Sequence, residues 1–262
     1  MSGVAEAFAA VGDAAGVDAP LNVRVSVLSR AFGSMPSTVV APCSPLDAYL
    51  GAAADIAPLL VGGAPDLVAH VVGIEELVLR WARGEHVEVD AHAAVRSDAT
   101  TEAWAQVVRD VAVAVRARPS GDVDAYGLPL DVDGLLVLRT FELWTHQQDL
   151  SGAVPATDPA RLALMASRLA DVLPLGMAVR GTTQPGRSAR LVVTGVAPGC
   201  FDLALDPAAE PGEPDVTIVV DVVDVCRLAA RRLDLRSLTV VYEGDAELGR
   251  AVLTAADTFA QD

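Results

Sequence analysis

Glu142 and His146 stand four residues apart in the stretch Phe141-Glu142-Leu143-Trp144-Thr145-His146-Gln147-Gln148-Asp149. Carboxylate plus imidazole is an N,O ligand pair for zinc or a similar divalent ion. An apolar stripe starting at Leu135 and Leu138 continues at helical spacing through Glu142 and Thr145/His146, which predicts both groups on the inward face of one helix. A carboxylate on such a face needs a counter-charge, hydrogen-bond donors or a metal, because burial strips its hydration. The same spacing also describes an ordinary solvated helix pair, so the two residues make half of a metal site and a third ligand has to come from elsewhere.

His70 is one candidate. It falls on the stripe Leu67, Val71, Ile74, Val78 and Trp81 of a helix predicted from about Asp66 to Ala82. The competing reading is a core histidine bonded to a neighbouring carbonyl. Of the four histidines, His86 and His92 lie in the polar stretch after that helix and read as solvated.

The elements that must carry these residues begin at Ser44-Pro45-Leu46-Asp47, where a Ser cap, a Pro at the first helical position and a carboxylate open a helix. Its stripe is Leu46, Tyr49, Leu50, Ala53, Ala57 and Leu60. A third helix, from about Thr101 to Arg116, places Trp104, Val107, Val108, Val111 and Val115 at core spacing. Pro119-Ser120-Gly121 ends it, and a loop through Tyr126, Gly127 and Pro129 leads to Asp131 or Asp133 as cap of the fourth helix, which carries Glu142 and His146. Four amphipathic helices predict a bundle, whose core is where ligands from facing helices meet. A fifth helix starts at Asp158-Pro159, carries Leu162, Met165, Leu169 and Val172, and is expected to stop before Pro174.

From Gly181 to Ser188 the composition shifts to Gly, Thr, Gln, Pro and Ser, and beyond it the period changes. Ala189–Thr194, Cys200–Leu205, Val216–Asp221 and Leu238–Glu243 read as strands, Val222–Arg232 and Ala246–Phe259 as helices. The fold class is therefore α+β with two domains: a helical bundle over 44–180 and a small α+β domain over 187–262. Residues 1–43 form an N-terminal extension of open role, with a short helix over Ala5–Ala15 and a strand-like alternation over Asn22–Leu28.

Composition excludes several function classes. The net charge is −16 with a sequence pI near 4.5, which disfavours phosphate backbones, so no nucleic-acid partner is expected. All 19 basic residues are Arg; the absence of Lys removes Schiff-base chemistry and the P-loop lysine. The three cysteines, Cys43, Cys200 and Cys226, are odd in number and widely spaced, which fits a reducing cytoplasm, and Cys226 reads as a small core residue. The opening Met1-Ser2-Gly3-Val4-Ala5-Glu6 has no basic start or apolar core of a secretory signal. No uncharged apolar run reaches membrane-span length, so no membrane partner is expected.

Taken in order, Asp66-Leu67-Val68-Ala69-His70, the stretch Phe141 to Asp149 and the closing Glu243-Gly244-Asp245-Ala246-Glu247-Leu248 resemble the mycothiol-dependent maleylpyruvate isomerase family of DinB-like metalloenzymes. The resemblance runs from about Ser44 to the C-terminus. It implies a DinB-like four-helix bundle that holds a divalent metal, expected to be zinc, through His70, Glu142 and His146, followed by a sterol-carrier-protein-like domain. It also implies mycothiol, or another low-molecular-weight thiol, as cosubstrate. Residues 1–43 fall outside that pattern.

Two His and one carboxylate leave metal positions open, as catalytic zinc requires. A thiolate generated there either adds to a conjugated double bond, allows rotation and leaves, which is isomerisation, or stays on the electrophile, which is S-transfer. Asp149, one turn beyond His146, reads as an acceptor that orients the imidazole or as a solvated helix-end carboxylate. Arg227, Arg231 and Arg232, expected on one helix, are candidates to clamp a carboxylate of thiol or substrate, with ordinary surface ion pairing as the alternative. The same donor set suits a non-haem iron oxygenase, and a bundle whose buried His and Glu merely bond each other would be a non-catalytic binding or stress-response module.

Overall fold

A computed structural model of the chain describes residues 43–87, 100–125, 128–206, 208–258 and 260. The expected helix over Ala5–Ala15, the strand over Asn22–Leu28, His92, Tyr126-Gly127 and Phe259 lie outside the described residues. The described residues form two compact units, 43–168 and 169–260, with seven α-helices and two small sheets among them.

In the first unit, helices α1 (Pro45–Leu60), α2 (Pro65–Ala82), α3 (Thr101–Ala117) and α4 (Val132–Ser151) pack round one core. Tyr49, Ile56, Val71, Ile74, Trp81, Trp104, Leu135 and Leu143 are buried in it. The start of α1 is fixed as the sequence predicts: the Asp47 amide donates to Ser44 Oγ at 3.1 Å, and the Ser44 hydroxyl donates to the Asp47 carboxylate at 2.7 Å. Packing is heaviest between α1 and α4 and between α2 and α3.

α4 is buried on several sides, with the apolar Leu135, Leu136, Val137, Leu143 and Trp144 and the polar Arg139, Thr140 and Gln147 all inside the protein. Of the two candidate caps it uses Asp131, whose carboxylate accepts from the Gly134 amide at 2.6 Å. Gly152, at φ +68°, closes its C-terminus in the left-handed region.

The loop expected before α4 contains a hairpin, β1 (Asp122–Ala125) and β2 (Leu128–Asp131), with Val123 opposite Leu130. Burial of Val123, Ala125 and Leu130 gives the ribbon an apolar face, and Pro129 is tolerated because a two-stranded ribbon is all edge. The last residue of β2 is the cap of α4, so the hairpin sets where the ligand-bearing helix begins.

Helix α5 (Pro159–Val179) runs through Pro174 instead of stopping before it. The missing Pro174 N–H removes one backbone bond, and burial of Leu169, Leu173 and Met177 along the same side outweighs that loss. By length and composition α5 could cross a membrane, yet it carries Arg161, Arg168 and Asp171, and a long side of it is buried within the protein.

The second unit holds a four-stranded sheet of order β4-β3-β5-β6: β3 (Ser188–Thr194), β4 (Gly199–Ala204), β5 (Val216–Asp221) and β6 (Val240–Gly244). β3 and β5 are parallel, with Leu191 opposite Ile218; the two edge pairings are antiparallel. Helix α6 (Val222–Ala229) is capped by Asp221 and α7 (Ala246–Thr254) by Asp245, both through side-chain carboxylates. Each is shorter than its apolar pattern suggests, and a 3-10 turn over Leu235–Ser237 precedes β6.

Candidate metal centre

The fourth helix brings Glu142 and His146 onto successive turns, and α2 delivers His70 beside them. One ligand atom from each of the three residues lies within 4.8 Å of the other two. The His70 and His146 rings meet edge to face, with centroids 5.4 Å apart and planes at 85°. His146 Nε2 is 3.9 Å from Glu142 Oε1, and the side chains are 12% and 23% exposed. The expected inward face is thus a half-buried one.

The donor set suits a divalent ion of zinc-like preference. Zinc holds N and O ligands at roughly 2.0–2.1 Å, which at tetrahedral angles sets them about 3.4 Å apart. The separations here exceed that by little enough for side-chain rotation to close them. Two His and one carboxylate also leave a position for an exogenous ligand.

Charged groups flank the cluster on both sides. His146 Nδ1 lies 3.2 Å from Asp149 Oδ2, so the carboxylate one turn on faces the ring nitrogen that points away from Glu142. Glu142 Oε2 lies 3.0 Å from Arg139 Nη1 in an ion pair.

Arg139 is fully buried, as is Glu75 of α2. The Arg139 Nε donates to Glu75 Oε2 at 2.9 Å, and Nη2 donates to the Val71 carbonyl at 2.9 Å. The Tyr49 hydroxyl of α1 donates to Glu75 Oε1 at 2.5 Å. Burial raises the Glu75 carboxyl above its usual range, with Arg139 and the Tyr49 bond pulling the other way. Burial, and then the Glu75 charge, raise the Tyr49 phenol well above its ordinary value.

Neither Glu75 nor Arg139 stands out by residue type and spacing alone, although both occupy core positions, Glu75 between Val71 and Val78 and Arg139 between Leu135 and Leu143. A charged residue at core spacing was the available signal.

The arginine candidates lie in the second unit and are not all on one helix, because α6 ends at Ala229. Arg227, on α6, is 3.7 Å from Asp224 and donates to the Arg232 carbonyl at 3.2 Å. Arg231, exposed and at φ +55°, lies 3.5 Å from Asp257, and Arg232 donates to the Ala230 carbonyl at 2.9 Å. Cys226 is fully buried, and desolvation pushes its thiol up to about 12, which fits packing rather than nucleophilic use.

Fold and site together describe a two-domain α+β protein with a His-Glu-His cluster between two helices of its helical unit. No family model matches the sequence, and no curated protein matches it. Among solved structures, the crystal structure of the mycothiol-dependent maleylpyruvate isomerase is similar at 19% identity, over 75% of this chain and 91% of that chain, with a TM-score of 0.48.

Proposed function

We propose that His70, Glu142 and His146 hold a divalent metal ion, zinc by preference, and that the chain is a thiol-dependent enzyme acting on a small electrophile. The reaction class is isomerisation or S-transfer. The observation that carries this reading is the convergence of three ligand atoms from α2 and α4 to within 4.8 Å. The sequence resemblance over residues 66–70, 141–149 and 243–248 supports mycothiol as the thiol.

A divalent ion with an open position supplies the Lewis acidity that lowers the pKa of a thiol toward neutral pH. The chain contributes orientation. With Nδ1–H donating to Asp149, His146 keeps its Nε2 lone pair on the Glu142 side. Glu142 gives Oε2 to Arg139 and leaves Oε1 toward His146. A guanidinium from Arg227, Arg231 or Arg232 is proposed to pair with a carboxylate of thiol or substrate, and single Ala variants would separate the three by which one raises KM.

Elemental analysis of the wild type beside His70→Ala, Glu142→Ala and His146→Ala, with folding checked by circular dichroism, tests the site. About one ion per chain is expected in the wild type, with loss in each variant. Mycothiol-dependent conversion of a conjugated electrophile is then expected of the metal-loaded wild type alone. No ion after reconstitution overturns the reading, and iron with oxygen-dependent turnover replaces it with facial-triad chemistry.

A further inference from the structure

We propose that Tyr49, Glu75 and Arg139 are positioning residues that set the geometry of Glu142 as a metal ligand, tying α1, α2 and α4 into one rigid frame around the ion. The inference rests on the metal-site reading above.

Arg139 is the centre of the frame. Its guanidinium spans α4 and α2, with Nη1 on Glu142, Nε on Glu75 and Nη2 on the Val71 carbonyl. Val71 directly follows His70, so one planar group touches the carboxylate ligand from α4 and the backbone beside the imidazole ligand from α2. A guanidinium holds such contacts in a fixed fork, which a Lys or a neutral side chain cannot reproduce. Glu75 is held in turn by Tyr49 from a third helix, so its own rotamer is fixed at both oxygens.

The consequence falls on Glu142. A free carboxylate on a helix turns about its side-chain bonds and offers either oxygen. Here Oε2 is engaged by Arg139, and Oε1 faces His146 Nε2 at 3.9 Å. Two carboxylates share the guanidinium, which favours a cation on the far side of Glu142.

Stability alone gives a poor account of the arrangement. Burying an ion pair removes two strongly hydrated groups from water, and apolar side chains of similar volume commonly do as well or better in its place. Groups that hold metal ligands in place have a measurable role of another kind, since their loss typically weakens metal binding by 10- to 100-fold.

That difference supplies the test. In the variant Glu75→Leu/Arg139→Met the two fully buried charges are replaced together, so neither is left facing an apolar side chain, while Glu142 loses its guanidinium and Tyr49 its acceptor. Co²⁺ binding to the full-length protein would be measured by chelator competition, with the visible absorption of the bound Co²⁺ as a signature of coordination and the melting temperature of the metal-free protein as a measure of the fold. The expected result is a metal-free protein that still melts cooperatively, at least tenfold weaker Co²⁺ binding, and an altered Co²⁺ spectrum. Unchanged affinity with an unchanged spectrum overturns the proposal and leaves the frame as packing.

Tyr49→Phe, which removes one hydroxyl and keeps the ring, provides the second arm should the double variant fail to fold. A several-fold loss of Co²⁺ affinity is expected there, and wild-type affinity overturns the proposal. If the wild type itself takes up no Co²⁺, the metal-site reading falls and this inference with it. Wild-type binding without any loss in the variants refutes the positioning role alone.

Discussion

At His146 the two ring nitrogens have different neighbours, Nδ1 with Asp149 at 3.2 Å and Nε2 with Glu142 at 3.9 Å, and that asymmetry decides what Asp149 does. A solvated helix-end carboxylate would be indifferent to replacement, whereas an acceptor that fixes the tautomer would not. Asp149→Ala is expected to weaken zinc binding about tenfold, at the low end of the usual range because the carboxylate is partly exposed, and Asp149→Asn less, since the amide oxygen still accepts. Chelator competition reads both, and equal affinity for all three proteins would return Asp149 to the solvent. At this scale the ligand candidates were legible because His is rare in the chain and Glu142 and His146 are local to one another on a helix. Glu75 and Arg139 were not, because they are 64 residues apart and a single charge on an apolar stripe means nothing until its partner is known.

Element ends were legible wherever a side chain satisfies a backbone group. Ser44 caps α1 and Asp131 caps α4, and in both cases the capping bond forms between residues three apart. Pro174 misled because its penalty is local while the burial that opposes it is tertiary. The same helix makes a tight approach that no periodicity announces: a Cβ placed on Gly176 would come within 2.8 Å of the Ala255 carbonyl oxygen. Replacing a helical Gly by Ala ordinarily gains about 1 kcal/mol, but backbone cannot yield as a flexible side chain does, and overpacking costs about 1–3 kcal/mol. Gly176→Ala is therefore expected to lower stability, by up to about 2 kcal/mol net. Gly62, where a Cβ meets nothing within 4 Å, is the control, and Gly62→Ala should change stability by no more than about 0.5 kcal/mol. Urea titration of the two variants checks the contrast, and a stabilised Gly176→Ala would mean that α5 and the end of α7 are not held at this distance.

For the whole molecule the question is which stretches of chain fold together. Composition points to a break at 181–188, where Gly, Pro and polar residues gather. Contacts put the second half of α5 with the sheet, since residues 169–260 form one compact unit. Arg180 reaches Asp257 and the Thr258 hydroxyl beyond α7, and Gly176 lies against Ala255. Leu169, Leu173 and Met177 are buried along the same helix. Composition cannot reveal this, because a linker-like sequence marks where the backbone turns and says nothing of which side chains are buried before it. Small units depend heavily on each buried side chain, as their surface is large relative to their core. A fragment over 187–262 is consequently expected to show no cooperative thermal transition, or one far below that of a fragment over 159–262, which keeps the helix. Circular dichroism melts of the two would decide the point. Equal melting temperatures would mean that the sheet and its own two helices suffice as a core, that α5 adds nothing to it, and that the break at 181–188 is a true domain boundary.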